Sequence, residues 1–140
     1  MKIYIASKFS SRNRLIPYRD AIEAMGFEVT STWMLDDPEP SANFDSLGDN
    51  LEESQSMATR DINQVGNCDI FIICTEDPSD TGGREVELGM AIVTNKTIFR
   101  IGPIRNVFHT HPLIIEKTWQ ELLNNLANSL NNYGDYTNEK

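Results

Sequence analysis

The sequence is poor in cysteine, histidine and positive charge, and it has no long apolar run. Its two cysteines, Cys68 and Cys74, in 140 residues form neither a disulfide framework nor a metal motif. They read as reduced core thiols of a cytoplasmic protein. No apolar segment approaches the ~20 residues of a membrane helix, so no span is predicted. The apolar start Ile3-Tyr4-Ile5-Ala6 is too short for a signal peptide and reads as a first strand. There are no internal repeats. Lys and Arg total 12 against 21 Asp and Glu, a net charge of −9. No Lys or Arg occurs between Arg19 and Arg60, where Asp36, Asp37, Glu39, Asp45, Asp49, Glu52 and Glu53 accumulate. Such a stretch repels a phosphate-rich polymer, which argues against nucleic acid as a partner. It reads as a solvated connection, without the ligand spacing of a calcium loop. His109 and His111 lack a neighbouring Cys or a suitably spaced third ligand and read as loop residues, not a metal site.

What is present is one domain's worth of alternating strands and helices. The hydrophobic fraction of 39% suits a single core over residues 1–132, with a polar tail at 133–140. Strands are predicted at Lys2 to Ala6, Phe27 to Trp33, Asp69 to Cys74, Thr97 to Ile101 and Leu113 to Ile115. Ser7 to Arg14 reads as a polar loop, and a helix with Pro17 in its first turn runs to Met25, ended by Gly26. Leu51 to Val65, Arg84 to Thr94 and Lys117 to Leu130 read as the other helices. Leu35 to Asn50, with two prolines, is a long connection of the kind that forms lids or binding loops. This alternation predicts an α/β, doubly wound, flavodoxin-like (Rossmann-like) fold: five parallel strands in the order 2-1-3-4-5.

Ligands of such sheets bind at the carboxyl ends of the strands. Thr81-Gly82-Gly83-Arg84-Glu85-Val86-Glu87-Leu88-Gly89 lies there, after the apolar run Ile70 to Cys74. Glu87 falls in the first turns of the helix, where the helix dipole is expected to keep it ionised and able to attack carbon. Glu85, two residues earlier, points to another side and is expected to face water. Asp61 falls inside the helical stripe Met57, Ala58, Ile62, Val65, which should face the sheet. It reads either as a carboxyl with a raised pKa suited to general acid work, or as a stripe-edge Asp bonded to nearby backbone. Tyr4 on the first strand needs a partner for its hydroxyl and could hold a catalytic carboxylate. Ser7 and Arg12 belong to a polar, basic loop that can take a phosphate or sugar hydroxyls, without the glycines of a phosphate loop.

Three blocks together resemble the nucleoside 2-deoxyribosyltransferase family and its nucleotide N-hydrolase relatives. They are Lys2-Ile3-Tyr4-Ile5-Ala6-Ser7, then Arg60-Asp61-Ile62-Asn63-Gln64-Val65-Gly66-Asn67-Cys68-Asp69, then Gly82-Gly83-Arg84-Glu85-Val86-Glu87-Leu88-Gly89-Met90-Ala91. The resemblance implies that Glu87 is a nucleophile on the anomeric carbon, that Asp61 acts on the leaving base and that Tyr4 positions Glu87. A glycosyl-glutamate would form and be resolved by water or a second base, without metal or organic cofactor. Family transferases often carry an acid before the nucleophile, where this chain has Thr81 with Asp80 beside it. Thr81, Ser7 and Arg12 hint at a 5′-phosphate, and a free nucleoside is equally compatible. Gly82 and Gly83 would let substrate approach the backbone. Family members assemble as dimers or larger homo-oligomers, in which Asn106 could complete a neighbour's site. Two other functions stay open: an NAD glycohydrolase-like enzyme, and a nucleotide-binding sensor without turnover.

Overall fold

The central strand shows why the sheet forms. Ile70–Cys74 is apolar at every position and buried at every position, as a parallel strand covered on both faces must be. In the computed structural model, which describes residues 1–36, 51–79 and 81–138 (side chains through residue 131), it is β3 of a five-stranded sheet. The other strands are β1 (Lys2–Ala6), β2 (Glu28–Val29), β4 (Thr97–Ile101) and β5 (Ile114–Glu116). All pair in parallel, in the order β2-β1-β3-β4-β5. Helices α1 (Arg12–Ala24) and α4 (Trp119–Asn138) pack together, as do α2 (Leu51–Gly66) and α3 (Gly83–Val93). Right-handed crossovers put these two pairs on opposite faces. The α/β doubly wound fold and its strand order are as the sequence predicts.

The departures have physical causes. α1 begins at Arg12, straight after a 3-10 turn at Phe9–Ser11, so Pro17 sits inside the helix and not in its first turn. Leu15 and Ile22, two turns apart, are both fully buried. Seating Leu15 requires helix upstream of the proline, at the loss of one backbone bond. β2 stops at Val29, because side chains take over the ladder. Ser31 Oγ accepts from Ile5 N at 3.0 Å, and Thr30 Oγ1 donates to Gln64 O at 3.1 Å. Trp33 therefore lies in a 3-10 turn, Thr32–Leu35, and its indole N–H donates to Ile5 O at 2.8 Å. On α2, Ala58 and Ile62 are exposed, and the inward face is Met57, Asp61, Gln64 and Val65. Gln64 is held there by bonds to Thr32, so polar partners, not apolarity, set the helix rotation. α4 continues into the expected loose tail as far as Asn138. The connection expected at Leu35 to Asn50 lies almost wholly outside the described residues, as does Asp80.

Two positive-φ glycines shape the carboxyl edge. Gly82, at φ 82°, is the N-cap of α3. Gly102, at φ 120°, ends β4 so close to the β3 end that a Cβ there would meet Glu76 N at 2.6 Å.

Candidate active site

Tyr4, Asp61 and Glu87 come from three elements and converge at the carboxyl edge. Tyr4 is fixed by the sheet: it pairs with Phe71 of β3, and the two rings stack with centroids 5.7 Å apart. Glu87 is the fifth residue of α3, which directs it toward the β1 edge. The Tyr4 hydroxyl and Glu87 Oε2 are both buried, and neither has a hydrogen-bond partner apart from the other. They remain near enough for the hydroxyl to favour the Glu87 carboxylate and for that charge to hold the phenol protonated. Over them opens a cavity of about 140 Å³ that Glu87, Asp61, Asp36, Ser7, Thr81 and Arg84 help to line. Phe9, Trp33 and Met57 supply an apolar wall. A larger cavity of about 740 Å³ lies beside the ends of β4 and β5, lined by residues such as Glu76, Glu116 and Trp119. It contains none of the three converging residues, so the chemistry favours the smaller one.

The electrostatics correct one expectation. Glu87 is not kept ionised: burial pushes it up to about 8, the charge of Asp61 adds to this, and Tyr4 and Arg60 pull it down. The helix dipole acts over the first turn, and Glu87 lies beyond it. Asp61 is also raised, chiefly by burial and further by Asp36, with Arg60 opposing. Of its two expected forms, it is a half-buried carboxyl facing the cavity, bonded to the Arg60 side chain at 3.0 Å and not to backbone. Tyr4 is raised far above an ordinary phenol, by burial first and then by Glu87. It is therefore a hydrogen-bond donor at any working pH.

The remaining candidates divide. Ser7, Thr81 and Gly83 line the cavity, and the Ser7 hydroxyl is buried without a partner. Gly82 stands behind them as the α3 cap. Arg12 is outside the lining, its guanidinium 4.6 Å from the centroid of the Phe9 ring. Asn106 is also outside: its Oδ1 accepts from Phe108 N and His109 N, capping the 3-10 turn Val107–Thr110. Glu85 does not face water as expected. Its two oxygens lie 2.9 and 3.0 Å from Nε2 of the fully buried His109. Arg105 N donates to His109 Nδ1, so Nε2 carries the hydrogen that Glu85 accepts.

Several site residues escaped the sequence reading. Arg84 is 3% exposed; its Nη1 donates to Cys74 O and Asp77 O, tying the β3 end to α3. The spacing of Arg84, Leu88 and Ala91, all buried, is a helical face that could have revealed it. Arg60 forms two parallel bonds to Asp36, each 2.9 Å. Asp36 is the first acid of the long acidic stretch, with nothing local to single it out. Arg14 bridges Glu76 and Asp77, and Ser11 donates to Asp77, which secures the β3–α3 loop. Among the described residues no group of three or more His, Cys, Asp or Glu is placed to hold a metal ion, and no helix is long and apolar enough to cross a membrane.

This arrangement, carboxylates and a tyrosine at the carboxyl edge of a 2-1-3-4-5 sheet, sits on a fold with known relatives. A CMP N-glycosidase from Clostridium botulinum superposes with a TM-score of 0.60 at 18% identity, covering 90% of this chain and 98% of that one. A 2-deoxyribosyltransferase from Bacillus psychrosaccharolyticus superposes with a TM-score of 0.61 at 21% identity, covering 89% and 91%. The chain shares their fold over nearly its whole described length. No family model matches it, and no curated protein matches its sequence.

Proposed function

We propose that this protein is an enzyme that cleaves or transfers the N-glycosidic bond of a (2-deoxy)nucleoside or its 5′-monophosphate, with Glu87 as nucleophile. The observation that carries the reading is the buried pair of Tyr4 hydroxyl and Glu87 Oε2, with no partner outside the pair, beneath a cavity walled by a second carboxyl, Asp61. A polar pair buried with no further partner is expensive and is kept where a reaction uses it. The fold shared with an N-glycosidase and a deoxyribosyltransferase supports the same chemistry.

In this mechanism the sugar lies over Glu87 and the base lies against Phe9, Trp33 and Met57. The Glu87 carboxylate attacks the anomeric carbon as the base leaves with a proton from Asp61, and the Tyr4 hydroxyl orients the attacking carboxylate. Water or a second base then releases the sugar from Glu87, the retaining logic of two-carboxyl glycosidases. A negative Glu87 also stabilises the oxocarbenium-like transition state. Ser7 and Thr81 offer hydroxyls to the sugar or its 5′ substituent. The active form is a homo-oligomer. Val107 and Phe108, exposed on the loop that His109 ties to Glu85, are the apolar surface that supports this.

The test is incubation with a panel of nucleosides and 5′-monophosphates, with and without an added free base, followed by chromatography. The expected result is base release or exchange, reduced by roughly 10⁴-fold or more in Glu87→Ala. A 2′-fluoro analogue, which slows breakdown of the intermediate, is expected to label the Glu87 peptide. Full base release by Glu87→Ala refutes the mechanism. Tight nucleotide binding with no release by the wild type points to a sensor instead.

A further inference from the structure

Arg60 leaves α2 next to Asp61 and spreads over two carboxylates. Its Nη1 and Nη2 donate to Asp36 Oδ1 and Oδ2, each at 2.9 Å, the geometry a guanidinium makes best. Its Nε and Nη2 also lie 3.0 Å from Asp61, both on Oδ1. Asp36 and Asp61 line the cavity that holds Glu87. The Arg60, Asp36 and Asp61 side chains are 29, 21 and 26% exposed, too little for water to screen them from one another.

A donor to the departing base must be a carboxylic acid. Arg60 against it pulls Asp61 toward the carboxylate, without fully offsetting the burial that raises it. With Arg60 withdrawn, burial and the Asp36 charge favour the acid. We propose that Arg60 is a positioning residue, and that its two-bond seat on Asp36 draws it off Asp61 when the base enters, so that Asp61 can hold and deliver a proton. The inference rests on the N-glycosidic reading of this site. The proton is the one Glu87 carries in the free protein; Asp61 takes it up as Arg60 withdraws, which leaves Glu87 as the carboxylate. It passes from Asp61 to a ring nitrogen of the base as the C1′–N bond breaks and that bond's electron pair stays with the base. The Glu87 carboxylate supplies the pair for the new C1′–O bond, and Arg60 neither gains nor loses a proton. Among the described residues, the charged and titratable groups around Asp61 are Arg60 and Asp36, Glu87 of α3, Tyr4 of β1, and Lys8 and Arg84 in the cavity wall.

The experiment compares Asp36→Asn, Arg60→Met and the double variant by two readouts. One is the titration of the Asp61 carboxyl by ¹³C NMR, assigned with Asp61→Asn. The other is kcat and KM for base release across pH. Asp36→Asn leaves Arg60 wholly on Asp61, so the titration moves to lower pH. It is expected to lower kcat at least about tenfold with KM within about twofold. Arg60→Met moves the titration to higher pH, and in that background Asp36→Asn changes kcat less than about twofold. Asp36→Glu, which keeps the two-oxygen seat, is expected to recover most of kcat; a merely structural Asp36 would not give this pattern. An unchanged kcat in Asp36→Asn, an equal loss in both backgrounds, or a titration moving the opposite way overturns the proposal. Absence of base release from the wild type overturns the N-glycosidic reading itself, whereas release that Asp36→Asn leaves intact overturns only the role given to Arg60.

Discussion

Replacing Glu87 with Gln is expected to stabilise the protein, by an amount that depends on pH. The Glu87 carboxyl ionises near 8 in the folded protein, against 4.5 for an ordinary glutamate. Between those values the folded state keeps a proton that the unfolded chain has released. The sign follows from linkage. Below 4.5 both states are protonated and Glu87 costs nothing. As pH climbs toward 8 only the unfolded chain ionises, and stability falls. Above 8 the loss is complete. At about 1.4 kcal/mol per pH unit, the wild type loses about 3 kcal/mol between pH 4.5 and pH 7 through this group. Asp61 shares the titration, so this is the upper end of the effect.

Gln keeps the shape of the side chain and cannot ionise, so the variant escapes this loss. Any fixed offset from the amide is the same at every pH. The assay is thermal unfolding of both proteins at pH 4.5, 6, 7 and 8.5. The gap between them is expected to open by about 3 kcal/mol from pH 4.5 to 7, roughly 10 °C in Tm for a chain of this size. A gap that is constant with pH, or that narrows as pH rises, refutes the argument that burial raises the Glu87 carboxyl.

The same pKa governs rate: kcat/KM for base release is expected to fall about tenfold per pH unit above about pH 8, where Glu87 and Asp61 have together lost the one proton that the leaving base needs. Tyr4→Phe removes a group that lowers Glu87, so the falling limb moves to higher pH; a shift to lower pH contradicts the pairing. Arg84→Met strands the carbonyls of Cys74 and Asp77 and is expected to cost about 2–4 kcal/mol in urea unfolding. Burial acts to raise the Glu85 carboxyl, but bonds from His109, Asn106 and Arg84 outweigh it and hold the group below the ordinary range. Glu85→Gln should therefore cost about 1–2 kcal/mol near neutrality, with the deficit shrinking as pH falls through the folded-state pKa, as pH-dependent denaturation would show. Gly102→Ala forces a Cβ onto Glu76 N at φ 120° and should destabilise by more than about 1 kcal/mol.

Strand order and helix number were legible because they depend on periodicity. Ile70 to Cys74 is apolar throughout and can only be a central strand, and glycines or Asn close the helices near Gly26, Gly66 and Asn95. What was not legible depends on side chains far away in sequence. β2 is short because Ser31 and Thr30 bond to β1 and α2. α2 is rotated by Gln64, which turns Ile62 outward. Glu85 looks like a wet helix residue until the loop bearing His109 returns 24 positions later. Asp61 stood out because a carboxyl inside an apolar stripe breaks the local pattern, and Glu87 because it follows a glycine turn at the carboxyl end of a central strand. Arg60, Arg84 and Asp36, which hold that setting together, break no pattern, since charged residues ordinarily read as surface.

The stability of Glu87→Gln and its activity bear on each other. A buried carboxyl that makes the folded protein less stable at neutral pH has no structural reason to be there. Removing it should strengthen the fold while ending base release, the opposite of what a structural residue does. Loss of activity alone could come from a damaged fold, and gain of stability alone could come from any poorly placed charge. Both from one substitution, with the stability gain growing as pH rises toward 8, would tie the strain of burying Glu87 to its use as a nucleophile.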